Sequence, residues 1–224
     1  MTNNKPMPEG NQFPVYAVLT GDVVASSKQP PSALQEIMQR LRKGAEQFSK
    51  TFPDSVYGRL DVYSGDGFQL LMSDLGRSLR AALFLRATVR SYSKAKVDTR
   101  IAVAWGRINE STLNPDRISE STGAAFTESG RALKGLKSRY RLVWQPGQHL
   151  TDVGFLKSAV SLLDELAGHW TARQAEIIAL ALLELSQEDI ALAIGIRQPT
   201  VNRTLRRGSW RGIEDFLQDV NNSL

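Results

Sequence analysis

The stretch from Ser186 to Leu205 restricts the fold more than any other part of the chain. Ser186 stands where a side-chain oxygen caps a helix, and Asp189 at the third helical position can complete a weak capping box. Ile190 and Ile194 recur one helical turn apart. Gly195 follows where a tight turn needs a positive φ. Pro199 then suits the first turn of a second helix, where its missing N–H costs nothing. Ala191 is small where two helices cross closely, and Ile196 and Val201 fill the angle between them. The segment predicts two short helices joined by a sharp turn. Arg197, Gln198, Thr200, Asn202, Arg203, Arg206 and Arg207 are then left to the outside of the second helix.

Those side chains are the donors and acceptors that read base edges in a major groove and hold phosphates. Five arginines and no acid fall between Arg197 and Arg211. The pattern reads as a helix-turn-helix with duplex DNA as its partner. A plain helical hairpin is the competing reading, and Thr204 argues for it by standing where an apolar residue is usual, although Leu205 beside it can compensate. Ile213, Phe216, Leu217 and Val220 give a further amphipathic helix suited to packing on the pair or on a twin subunit. The segment Trp170 to Leu205 resembles the helix-turn-helix of sigma-factor region four and of many bacterial regulators, which implies DNA binding and leaves the target site open.

The remainder sets bounds. Hydrophobic residues make up 42% of the 224 residues and charged residues 23%, as in soluble globular chains with a sizeable core. Cysteine is absent, which excludes disulfides and thiolate metal sites and fits a cytoplasmic protein. No apolar run is long enough to predict a membrane span. Met1 to Pro14 is polar with three prolines and reads as a disordered lead-in. The net charge of +5 mildly favours polyanionic partners. From His169 onward, six arginines oppose seven acids, so any DNA interface rests on local clustering. His149 and His169 are too far apart in sequence to suggest a metal pair.

Ahead of that segment, strand and helix periodicities alternate. Tyr16 to Thr20 reads as a strand, and Leu34 to Phe48 as a helix. Leu60 to Met72 reads as a hairpin turning at Ser64-Gly65-Asp66-Gly67. Leu75 to Tyr92 reads as a helix, Thr99 to Val103 as a strand, Gly123 to Lys137 as a helix and Arg141 to Trp144 as a short strand. The order predicts an α+β domain, a ferredoxin-like palm with an antiparallel sheet and helices on one face. The expected boundaries are a lead-in over 1–14, the palm over 15–147, a connector helix over 148–168 and the helix-turn-helix domain over 169–224.

Asp22 ends the first strand, and Asp66 sits in the hairpin turn. In a palm the first strand lies beside that hairpin, so the two carboxylates can approach closely. Mg2+ is typically held by one or two carboxylates with substrate phosphates and water. Spacing alone favours the plainer reading, in which Asp22 caps a helix or turn and Asp66 is a turn residue. The blocks Thr20-Gly21-Asp22-Val23-Val24, Ser64-Gly65-Asp66-Gly67-Phe68-Gln69, Arg100-Ile101-Ala102-Val103-Ala104-Trp105-Gly106 and Gly123 to Leu133 occur in that order. This set resembles the SatD family of bacterial proteins across most of the chain. More distantly it resembles the palms of class III nucleotide cyclases and GGDEF diguanylate cyclases.

The cyclase resemblance implies that Asp22 and Asp66 are catalytic metal ligands for Mg2+ or Mn2+. It places Glu120 near the acidic residue that selects the purine, Thr127 where an asparagine orients the ribose, and Arg131 on the arginine that steadies the triphosphate. Val62 stands where a base-recognising lysine is expected, and the turn lacks the second acid of GGDEF. The resemblance therefore implies metal and nucleotide binding more than turnover. The expected function is a bacterial, homodimeric DNA-binding regulator with a nucleotide-binding palm. The alternatives are an active cyclase or polymerase that uses Asp22 and Asp66, or an inert palm that serves dimerisation.

Overall fold

A computed structural model describes residues 14–92, 94, 96–146 and 153–223. The expected lead-in up to residue 13, and with it Gly147 and His149, lies outside the described residues. Strand β1 (Val15–Val23) is followed by helix α1 (Pro31–Thr51), the hairpin β2 (Val56–Tyr63) and β3 (Gly67–Met72), helix α2 (Ser78–Arg90) and strand β4 (Thr99–Arg107). The sheet order is β2-β3-β1-β4-β5. Its first four strands are all antiparallel and have the split βαβ arrangement of a ferredoxin-like palm.

Alternation along β1 explains the two faces of the sheet. Ala17, Leu19 and Val23 point into the main core with Ile37, Leu41 and Phe48 of α1 and Leu79, Leu83 and Ala87 of α2. Val18 points to the other face, where it packs with Leu71, Ile118, Ala125 and Phe126 in a second, smaller core. That second core belongs to helix α3 (Ala124–Gly135), so helices cover both faces, not one as the periodicity suggested. The strand after it, β5 (Leu142–Gln145), pairs with β4 in parallel, so the sheet is mixed. The cause is topological: a strand reached through a helix that crosses the sheet returns in the same direction as the strand it left.

The C-terminal helices are α4 (Val153–His169), α5 (Ala172–Leu182), α6 (Gln187–Ile194), α7 (Gln198–Arg207) and α8 (Trp210–Asn222). Thr171 caps α5 with a full capping box. Ile177, Ile178, Leu182, Val201, Leu205, Ile213 and Leu217 are buried in the same continuous cluster as the α2 face of the sheet. Polar ties cross the junction as well. Arg80 donates to the Leu182 carbonyl at 3.2 Å, and Arg90 donates to the Trp170 carbonyl at 2.5 Å.

Arg86 is 1% exposed and binds Asp98 at 2.9 Å and Asp164 at 2.6 Å. Burial alone would push its guanidinium pKa down. The hydrogen bonds and charges of Asp98 and Asp164 outweigh that and hold it above the ordinary value. On the outside of α4, Phe155 and Leu162 are 74% and 68% exposed. No described helix is long and apolar enough to cross a membrane.

Candidate functional site

The sheet register brings Asp22 and Asp66 to one end of the palm. Asp22 is level with Gly67 of β3 on one side and with Arg100 of β4 on the other, and the Val23 N–H donates to the Asp66 carbonyl at 3.3 Å. Ser64 (φ 49°) and Gly65 (φ 84°) both take left-handed backbone, which turns the hairpin tightly enough to present Asp66 there. Gly21 allows the close approach of strands behind it. A β-carbon at that position would lie 2.8 Å from the Arg100 carbonyl oxygen and 2.4 Å from the buried Phe68 ring. Tyr63 stands beside both aspartates. Burial and then the charges of Asp22 and Asp66 push its hydroxyl pKa above the usual phenol value, so it is a neutral donor at physiological pH.

Neither carboxylate is free. Arg100 meets Asp22 in a fork, with Nε donating to Oδ1 at 2.9 Å and Nη2 donating to Oδ2. The hydrogen bond that Arg100 donates to Asp22 is the main reason that its pKa stands above the ordinary value. Asp66 accepts from the Ser26 hydroxyl at 2.5 Å. Among the described residues no group of three histidines, aspartates or glutamates converges as a metal cage would require. With Arg100 on Asp22 and Ser26 on Asp66, both carboxylates that a Mg2+ would need are engaged by protein groups.

The residues expected to complete a nucleotide site are each engaged within their own segment. Glu120 is exposed and accepts from Arg117 at 2.6 Å. Thr127 is exposed and donates to the Gly123 carbonyl of its own helix at 3.1 Å. Arg131 is exposed and pairs with Glu128. Each is satisfied by a neighbour no more than four residues away, and none bonds to Asp22 or Asp66.

Several polar groups on this face went unread in the sequence. The Gln69 amide donates to Thr20 Oγ1 at 3.1 Å, and Thr20 meets Ser129 of α3 at 2.8 Å, while Gln69 Oε1 is a buried acceptor with no partner among the described residues. Asp61 holds the Ser119 backbone N–H at 3.0 Å, which fixes the loop carrying Glu120. Only the alternation of β2 and β3 hinted that Asp61 and Gln69 would share this face.

The second candidate surface is the α6–α7 pair. Ser186 accepts from the Asp189 N–H at 3.1 Å, and its hydroxyl donates to the Asp189 carboxylate, so the cap forms without a reciprocal box. Gly195 has φ 68°, and the Ile196 N–H closes the turn onto the Ala191 carbonyl at 3.0 Å. Ile190 and Val201 are fully buried, and Leu205 is 4% exposed where Thr204 left the apolar pattern open. Arg197, Thr200, Asn202, Arg203, Arg206 and Arg207 are exposed, and Gln198 is half-buried. Gln198 and Asn202 both donate to Gln187 Oε1, at 2.8 and 3.2 Å, so α6 orients two of the polar side chains of α7.

No protein-family model and no curated protein matches the chain. Among solved structures it is similar to the guanylyl cyclase Cya2, at 14% identity and a TM-score of 0.43 over 58% of this chain and 74% of that one. It is also similar to a bacterial light-regulated adenylyl cyclase, at 15% identity and a TM-score of 0.42 over 59% of this chain and 43% of that one. A second structure described as such a cyclase gives a TM-score of 0.43 with the same coverage. The fold itself is defined by strand order and register: an α+β palm whose ferredoxin-like sheet is extended by one parallel strand.

Proposed function

We propose that this chain is a cytoplasmic DNA-binding regulator of the SatD type, acting as a homodimer. In this reading α6 and α7 form a helix-turn-helix that docks on duplex DNA, and the palm is a nucleotide-binding unit. One observation carries it: the outer face of α7 holds Arg197, Arg203, Arg206 and Arg207 exposed, with no carboxylate paired to any of them among the described residues, while Val201 and Leu205 anchor the opposite face in the core. Arginines left unpaired on one rigid helix suit phosphate and guanine recognition. Two copies would read two half-sites one helical turn apart.

Full-length protein is expected to protect a discrete site in footprinting. Arg203→Ala with Arg206→Ala should weaken DNA binding at least about tenfold and lower the slope of log affinity against log salt by about 2 per protomer. Unchanged affinity and slope in that double variant would sink the DNA reading.

A second reading is favoured by the juxtaposition of Asp22, Asp66 and Tyr63: the palm acts on a nucleoside triphosphate as a cyclase or polymerase. Mg2+ or Mn2+, if held by Asp22 and Asp66, would supply charge neutralisation of the phosphates. Incubation with each triphosphate and either metal, followed by chromatography, separates the readings. A product absent with Asp66→Asn would make the palm an enzyme. Nucleotide binding without product, weakened by Asp66→Asn, is the result expected of a sensing palm.

A further inference from the structure

A cleft of about 390 Å3 opens where the turn after β1, the approaches to β4 and β5 and the last turn of α4 converge. Its size is in the range of small-molecule sites. It is separate from the Asp22 carboxylate, which shares the α3 face of the sheet with Val18 and Thr20.

The charges at its floor are already matched. Arg86 is locked between Asp98 and Asp164. Arg90 pairs with Asp98 at 2.8 Å and donates to the carbonyls of Gly168 and Trp170 at 2.8 and 2.5 Å, which satisfies the negative end of α4.

The rim is different. Lys96, Arg139 and Arg141 line the opening, and among the described residues none of their cationic groups pairs with a carboxylate. The Arg141 guanidinium donates only to the carbonyls of Ser138 and Tyr140, and Arg139 lies 4.7 Å over the Tyr140 ring. The rim also carries one acid, Glu165, which shares a hydrogen bond with His169 at 2.9 Å. Arg141 is also held in place, because its N–H donates to Asp164 Oδ2 at 2.9 Å. The cleft is therefore a concavity with matched charges below and three unmatched cations around its mouth. Mutual repulsion among those cations is relieved by a multivalent anion that accepts from several of them at once.

We propose that this cleft binds a small phosphorylated ligand, a phosphomonoester or a diphosphate. A phosphomonoester carries about −1.5 to −2 at neutral pH and offers three acceptor oxygens, which suits three cations better than a monocarboxylate does. Binding draws Lys96, Arg139 and Arg141 together at the point where α4 passes to Trp170 and the C-terminal helices. An effect of this closure on DNA binding rests on the regulator reading; the binding itself does not.

The test is calorimetric titration of the full chain with inorganic pyrophosphate in EDTA, which removes any metal-dependent binding at Asp22 and Asp66. Saturable binding is expected. It should weaken about 30-fold in Lys96→Glu with Arg139→Glu, less in the corresponding alanine pair, and stay unchanged in Asp66→Asn. Both rim residues are exposed, so thermal melting should confirm that the variants fold. Binding lost in Asp66→Asn, binding indifferent to the charge reversal, or no saturation would each overturn the assignment. A short random duplex titrated in parallel separates the two sources of phosphate: duplex bound through Lys96 and Arg139, with pyrophosphate ignored, makes the cleft part of a DNA surface and overturns the small-ligand site. None of these outcomes depends on Arg203 or Arg206, so they leave the helix-turn-helix reading to be decided by its own variants.

Discussion

Arg86→Ala is expected to lower folding stability by about 3–5 kcal/mol, read as a fall in the midpoint of urea denaturation. Asp98 and Asp164 are 13% and 5% exposed at their side chains, so deletion of the guanidinium leaves two nearly dry carboxylates facing each other. Asp98 keeps Arg90 as a partner, and Asp164 keeps the Arg141 N–H, which is why the cost stays within that range. Arg86→Lys should recover only part of it, because one ammonium cannot hold two carboxylates in fork geometry. Combining Arg86→Met with Asp98→Asn and Asp164→Asn should restore much of the loss, since buried ionic networks are often replaceable by uncharged ones. A change of under about 1 kcal/mol in Arg86→Ala would mean that water reaches this network.

Trp144→Ala should be nearly as costly, at about 3–5 kcal/mol. Trp144 is the largest fully buried side chain among the described residues. Its ring meets Trp105 edge-on at 5.3 Å, and both indoles point their N–H at Ser78 Oγ, at 3.4 and 2.9 Å. It is the wedge that fastens the short parallel strand β5 onto β4 and α2. Removing it leaves a cavity that neighbouring rings cannot close. The amides of β5 should then exchange with solvent faster than those of β1, which lies between two partners. Equal protection of β5 and β1 in hydrogen exchange on this variant would contradict that role.

Local chemistry made much of the fold legible. Gly195, Pro199 and the spacing of Ile190, Val201 and Leu205 specify the α6–α7 pair because turn geometry and helical period act over a few residues. The hairpin at Ser64–Gly67 was readable for the same reason. Contacts set by tertiary register were not. Asp22 and Arg100 are 78 positions apart, and only the β1–β4 pairing puts them side by side. Arg86 repeats the problem: within an amphipathic pattern an arginine suggests solvent, yet Asp98 and Asp164 arrive from a loop and a later helix to bury it. The direction of β5 and the side taken by α3 depend on a crossover that carries no periodic signal. At the candidate nucleotide site the carboxylates were visible in the sequence, while the groups that occupy them, Arg100 and Ser26, were not.

The sheet and the C-terminal helices share one interior, and that restricts how such a chain can be rearranged. An element joined to its neighbours by a tether can be shuffled onto another protein and keep its shape. Here α5 lays Ile177, Ile178 and Leu182 into the same cluster as Leu79, Leu83 and Ala87 of α2, and Arg80 and Arg90 of α2 hold its ends by their carbonyls. Excision would expose the apolar side of both halves at once. Transplanting the arginine-bearing helix would therefore require carrying α2, and with it the palm, into the new host.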